Sequence, residues 1–397
     1  MKSHQVIENQ SDFDSICEEI EREKLVAFDT EFISEDTYSP ELALLQFATQ
    51  ERSAIVDPYS IENLNPWWEL MCDEKTRIVV HGGQAEIRFC FRAVGKAPQN
   101  LADVQLAEGF RGRSYPLSYA NLVPRVLGQQ IHSKQTRTDW RRRPLSENQI
   151  EYALEDVNFL LPIWKSQEKS LKKLDRIEWA EEEFQRYIEH ETVDESRECW
   201  TRISGIVKLR SREQMIARKL ALWRDEKAKR ENKPLRRVLR DDLILEIARQ
   251  KPNSPEELSR LREMTRGYNR KLWPEILNCV KEGTAVPENQ LPKRAIDDGD
   301  RQLDEQVLAQ FLSLALANRC AELNIAKQLV GSNDDLKQLV RWHFQNGKSN
   351  STPVLATSWR AEVCGKLIED VLDGRVVIRV AEPESNHPLA FEYRDGV

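Results

Sequence analysis

Leu25-Val26-Ala27-Phe28-Asp29-Thr30-Glu31-Phe32 opens with four apolar residues and then turns acidic. A short apolar run of this kind reads as a buried strand whose end carries charge. Side chains two apart on a strand share a face, so Asp29 and Glu31 point together. Two such carboxylates can share a divalent cation, although an Asp-x-Glu pair is equally a strand end facing water. Working outward, residues 42–47, 53–56 and 77–80 read as further strands, separated by the turn signals Ser39-Pro40 and Asp57-Pro58. After Val80 the apolar spacing becomes helical at Ile87, Cys90, Phe91 and Val94, which makes His81-Gly82-Gly83 a strand-to-helix turn. From Ser146 a Ser-x-x-Gln capping box precedes Ile150, Ala153, Leu154, Val157, Leu160 and Leu161 on one helical stripe. That helix places Tyr152 and Asp156 four residues apart, so a phenol and a carboxylate share one face. The patterning is α/β.

At 397 residues the chain exceeds a single ordinary core. Its 40% hydrophobic and 31% charged content suits packed domains with solvated surfaces. No run of about eighteen apolar residues occurs and the first residues lack a secretory pattern, so a cytoplasmic protein with no membrane partner is expected. The seven cysteines, Cys17, Cys72, Cys90, Cys199, Cys279, Cys320 and Cys364, contain no Cys-x-x-Cys pair and read as reduced packing residues. The net charge of −7 opposes nucleic-acid binding only on average. Residues 208–251 hold 15 Lys or Arg against 7 Asp or Glu, whereas 175–198 hold 3 against 10, so a basic module follows an acidic connector.

The ordered set Val26 to Phe32, His81-Gly82-Gly83 and Tyr152-Ala153-Leu154-Glu155-Asp156-Val157 resembles the DEDDy 3′→5′ exonucleases, and within them the ribonuclease D family. Further matches are Ile55-Val56-Asp57-Pro58, Ala102-Asp103-Val104-Gln105, Lys134, Arg137-Thr138-Asp139-Trp140 and Arg143-Pro144-Leu145. The resemblance implies a ribonuclease H-like α/β domain with a mixed central sheet over 1–200. Two small all-α HRDC-type domains follow at 208–285 and 304–380, with a linker at 286–303 and a C-terminal tail at 381–397. It further implies two divalent metal ions, Mg²⁺ or Mn²⁺, held by Asp29, Glu31, Glu86 and Asp156, with Tyr152 orienting the attacking water. The expected reaction shortens RNA 3′ ends, transfer-RNA precursors among them, and releases nucleoside 5′-monophosphates.

The family's second motif carries aspartate where this chain has Glu86, in His81-Gly82-Gly83-Gln84-Ala85-Glu86. The added methylene asks the carboxylate to fold back or the second ion to move, and two-metal geometry tolerates little error. A catalytically impaired RNA-binding protein of the same fold therefore stands as the alternative, beside a 3′→5′ DNA exonuclease. Lys134, Arg137, Arg141, Arg142 and Arg143 form a cationic run ahead of the Tyr152 helix, suited to phosphates or simply to solvent. Trp140, Trp67 and Trp68 read as packing residues, Asp103 as a helix cap and His81 as a turn residue.

Overall fold

A computed structural model describes residues 3–131, 138–292, 305–345 and 352–394. Six strands form one sheet: β1 Ser3–Ile7, β2 Leu25–Ile33, β3 Glu41–Ala48, β4 Arg52–Val56, β5 Arg77–Val80 and β6 Leu101–Asp103. Their order is β1-β4-β3-β2-β5-β6. The sheet is mixed as expected, since β1 pairs β4 parallel, β3 pairs β4 antiparallel, and β5 runs parallel to both β2 and β6. Val26, Ala27 and Phe28 have no solvent exposure because helices cover both faces of β2. On one face Phe28, Phe47 and Trp67 pack with ring centroids 4.6–5.2 Å apart, which gives Trp67 the packing role read from the sequence.

Among the described residues, eight helices complete this part: α1 Gln10–Glu23, α2 Asn65–Met71, α3 Gln84–Val94, α4 Val104–Arg111, α5 Tyr119–Leu127, α6 Glu147–Asn158, α7 Leu160–Lys173 and α8 Ile177–Ser196. Strands β1 and β6 were not legible in the sequence. The first is polar at three of its five positions, and the second is only three residues long.

The chain divides into two compact units, Met1–Thr30 with Leu44–Thr192 and Asp300–Val397, and Glu31–Ala43 with Val193–Gly299. In the second unit lie α9 Ser211–Glu231, α10 Leu235–Val238, α11 Asp241–Gln250, α12 Pro255–Ser259, α13 Gly267–Lys271 and α14 Trp273–Ala285. Gly283 lies within α14. A Cβ there would stand 2.7 Å from the Ile216 backbone, so glycine is what lets α14 approach α9. The basic charge of α9 is partly spent internally, with Arg224 buried against the Leu239 carbonyl and Asp241.

The C-terminal helices α15 Glu305–Glu322, α16 Lys327–Val330, α17 Asn333–Phe344 and α18 Ser358–Leu372 share one core with the α/β part. Trp359 of α18 meets Phe110 of α4 edge-on at 4.8 Å, and the Ala326 amide donates to the Gly109 carbonyl at 2.9 Å. Arg360 and Glu183, each with a side chain only 4% exposed, form a two-pronged ion pair at 2.7 and 2.9 Å. At the end of the expected second helical domain and within the expected tail, β7 Val376–Val380 and β8 Leu389–Tyr393 pair as an antiparallel hairpin. Most of the expected 286–303 linker lies outside the described residues. No helix among those described is long and apolar enough to cross a membrane.

Candidate active site

Asp29 and Glu31 occupy the acidic end of β2 and are half-buried, in the alternation that the strand period requires. Between them Thr30, 6% exposed, donates its hydroxyl to Glu86 Oε1 at 2.5 Å. Glu86 sits in the first turn of α3 and is 4% exposed. Burial pushes its carboxyl up to about 7, the Thr30 hydroxyl opposes the rise, and the charge of Asp103 adds to it. The carboxyl carried on the longer side chain thus accepts from a neighbouring hydroxyl.

The turn that delivers α3 is held by Asp103. This residue, 1% exposed, accepts from the Gly82 and Gly83 amides at 3.1 and 3.0 Å and also caps α4 by accepting from the Gln105 and Leu106 amides. One carboxylate therefore fixes two helix starts. Gly82 has φ +66°, and a Cβ on Gly83 would lie 2.5 Å from Val80 Cγ2, so both glycines are required where β5 meets α3. His81 stays in the turn, its Nε2 2.9 Å from the Leu117 carbonyl.

The Ser146–Gln149 capping box forms as the sequence implied, and the Gln149 amide also donates to Thr138 Oγ1 and the Asp139 carbonyl. The cap thereby anchors the preceding loop to α6. Trp140 is buried, 6.2 Å from the ring of Tyr152. One turn later Asp156 is half-buried. Burial pushes its carboxyl up to about 7 against a hydrogen bond from Tyr152, and the charge of Glu155 adds to the rise.

Tyr119, which sequence reasoning missed, ties these parts together. Its hydroxyl donates to the Glu155 carbonyl at 3.1 Å, and burial pushes the phenol well above its ordinary value with added contributions from Asp156 and Asp29. One phenol therefore feels carboxylates from both β2 and α6. No periodicity links position 119 to 156, so only the folded chain reveals it.

The cationic run divides. Arg143 donates to both oxygens of Asp57 at 2.5 and 2.9 Å and stacks over Tyr59 at 4.9 Å. Asp57 is 3% exposed, so Arg143, expected to meet phosphates, serves as a clamp between the end of β4 and the loop before α6. Arg142 is exposed and Arg141 half-buried. Lys134 and Arg137 lie outside the described residues.

The donors Asp29, Glu31, Glu86 and Asp156 are all hard carboxylate oxygens, suited to Mg²⁺ or Mn²⁺ and unsuited to a thiolate-preferring ion. The raised carboxyls of Glu86 and Asp156 are what unneutralised acids in a low-dielectric setting display. Among the described residues the acidic trio whose ligand atoms lie within 4.8 Å of one another is Glu19, Glu23 and Glu51, away from these positions. Thr30 donates to Glu86, and Tyr152 hydrogen-bonds Asp156. In chemistry the set fits a divalent cation, and the 3′–5′ exonuclease family to which it points implies such ions.

Residues 4–172 match a family described as 3′-5′ exonuclease, and 213–280 match the HRDC domain. Ribonuclease D of Bartonella henselae is 30% identical over 94% of this chain and 90% of its own length. Ribonuclease D of Gluconacetobacter diazotrophicus is 31% identical over 94% of each. The crystal structure of Escherichia coli RNase D, described as an exoribonuclease involved in structured RNA processing, superposes with a TM-score of 0.80 at 26% identity. The match covers 94% of this chain and 99% of that one. The chain belongs to the ribonuclease D family and is a 3′→5′ exonuclease, its mixed-sheet α/β domain followed by helical HRDC structure.

Proposed function

We propose that this exonuclease removes nucleotides singly from RNA 3′ ends and releases nucleoside 5′-monophosphates, acting in the cytoplasm on structured RNA such as transfer-RNA precursors. The observation that carries the reading is Tyr119, whose hydroxyl donates to the Glu155 carbonyl next to Asp156 and whose phenol feels the charges of both Asp156 and Asp29. The printed role of the Escherichia coli relative in structured RNA processing supports the substrate class. Asp29, Glu31 and Asp156 would hold the first divalent ion, and Glu86 would serve the second. Two such ions, Mg²⁺ or Mn²⁺, supply charge stabilisation on the attacking and leaving oxygens of the phosphodiester. Tyr152, one helical turn from Asp156, orients the water. Arg141 and Arg142, with Lys134 and Arg137, draw the phosphate chain toward this end of α6.

The bond from Thr30 to Glu86 favours a second reading of the metal requirement. A carboxyl already engaged and raised to about 7 binds the second ion weakly near neutral pH, so turnover is slow in Mg²⁺ and faster in Mn²⁺. Matched single-stranded RNA and DNA oligonucleotides, each with Mg²⁺, Mn²⁺ or chelator, test the whole reading. Preferential loss of RNA from its 3′ end supports it. Equal or faster loss of DNA, or RNA degradation in chelator, overturns it.

A further inference from the structure

Cys72 caps the C-terminus of α2 and Cys90 lies in the second turn of α3, eighteen positions later. The sequence offers no hint that they meet, yet their sulfurs are 3.7 Å apart. Both also approach the Lys96 carbonyl, at 3.9 Å for Cys72 and 3.8 Å for Cys90. Cys90 has no solvent exposure. Cys72 is half-buried and lines an open cavity of about 450 Å³ with Asn65, Glu69, Asp73 and Lys96. The pair thus combines one thiol that small solutes can reach with one that only its neighbour can reach.

We propose that Cys72 and Cys90 are a peroxide-reactive thiol pair, Cys72 the attacked residue and Cys90 the resolving one, closing to a reversible disulfide between α2 and α3. The Cys72 thiolate attacks a peroxide oxygen, the O–O bond breaks, and the departing hydroxide takes up a proton as water. Cys72 is then a sulfenic acid. Cys90 sulfur next attacks Cys72 sulfur, the S–O bond breaks, and the hydroxide leaves as water with the proton from Cys90. Two thiols are oxidised, one hydrogen peroxide is reduced, and two waters form.

A disulfide has sulfurs about 2.05 Å apart, so closure asks for roughly 1.7 Å of approach between the two sulfurs. The surroundings favour this division of labour. The Cys90 hydrogen bond holds the Cys72 thiol below its ordinary value, burial opposes that effect, and the charge of Lys96 assists it. The same hydrogen bond and burial hold Cys90 well above its own. In a reducing compartment disulfides of this type are transient and report on oxidants rather than staple the fold. The link would sit one helical turn beyond Glu86, on the helix that carries it.

The test treats full-length protein with equimolar hydrogen peroxide, alkylates the remaining thiols, and maps peptides by mass spectrometry without reduction. The expected result is one linked peptide containing Cys72 and Cys90, lighter by two hydrogens and restored by dithiothreitol. In Cys90→Ser, Cys72 is expected to accumulate as a sulfenic acid that dimedone traps. In Cys72→Ser, Cys90 is expected to remain a thiol. Sulfinic or sulfonic acid at wild-type Cys72 with no linked peptide overturns the proposal, as does full alkylation of both thiols after treatment. Oxidation of Cys90 in Cys72→Ser at the wild-type rate overturns the assignment of Cys72 as the residue attacked.

Discussion

Replacing Glu86 by Gln keeps the shape of the side chain and removes the charge that its setting resists. In the metal-free protein the Glu86 carboxyl is raised from 4.5 to about 7, chiefly by burial. A carboxyl raised on folding contributes stability that is fully present below its unfolded value and is lost as pH rises through its folded value. Between pH 5 and pH 8.5 the wild type therefore loses roughly 3 kcal/mol through this one group. Glu86→Gln is spared that loss. Its carbonyl still accepts from Thr30, but its amide hydrogens lack an evident partner, which costs about 1 kcal/mol at every pH. The variant should thus be about 1 kcal/mol less stable than wild type at pH 5 and about 2 kcal/mol more stable at pH 8.5. Asp156 titrates in the same range but is present in both proteins and cancels from the comparison. Urea unfolding in chelator at the two pH values measures the swing. A variant that is less stable by the same amount at both refutes the claim that Glu86 is a strained, ionisable group in the metal-free fold.

Four further outcomes follow from the same geometry. Arg360→Ala leaves buried Glu183 to its more exposed partner Arg186 and should cost up to about 3 kcal/mol at pH 7 in urea unfolding. Burial alone would raise Glu183, but hydrogen bonds from Arg360 and Arg186 hold it below its ordinary 4.5. The stability it contributes is therefore present above pH 4.5 and lost as pH falls through the folded value, so the gap between variant and wild type should narrow below pH 4. Calorimetry of Mn²⁺ binding should show affinity rising between pH 6 and pH 8, by up to about tenfold per unit for each proton displaced from Asp156 or Glu86. Arg143→Ala should destabilise by about 2–3 kcal/mol through the stranded Asp57, whereas Arg142→Ala should leave stability unchanged and weaken RNA binding with a shallower salt dependence.

Much of the catalytic domain was legible because its signals are local. The apolar run before Asp29, the change of period after Val80 and the Ser146–Gln149 box each rest on a few adjacent residues, and each element formed. What escaped depends on residues distant in sequence. The polar strand β1 is defined by pairing with β4, and β6 is too short to show a period. The β7–β8 hairpin carries strand patterning in a region otherwise helical. At the site the acids were visible as a spaced set, but the Thr30 hydroxyl on Glu86, the double cap at Asp103 and the phenol of Tyr119 are contacts across 56, 21 and 36 positions. Arg143 shows the converse. A run of cations looks uniform in sequence, yet burial of Asp57 withdraws one of them from the surface.

The most direct measurement follows 5′-labelled RNA with Mn²⁺ and compares wild type with Asp29→Asn, whose folding is checked by its urea midpoint. The account predicts a ladder shortening by single nucleotides from the 3′ end in wild type, and a rate lower by at least about a hundredfold in the variant, the outcome expected if Asp29 is a ligand of the first ion. Internal cleavage products in wild type, or an Asp29→Asn protein that degrades RNA at an undiminished rate, would contradict it.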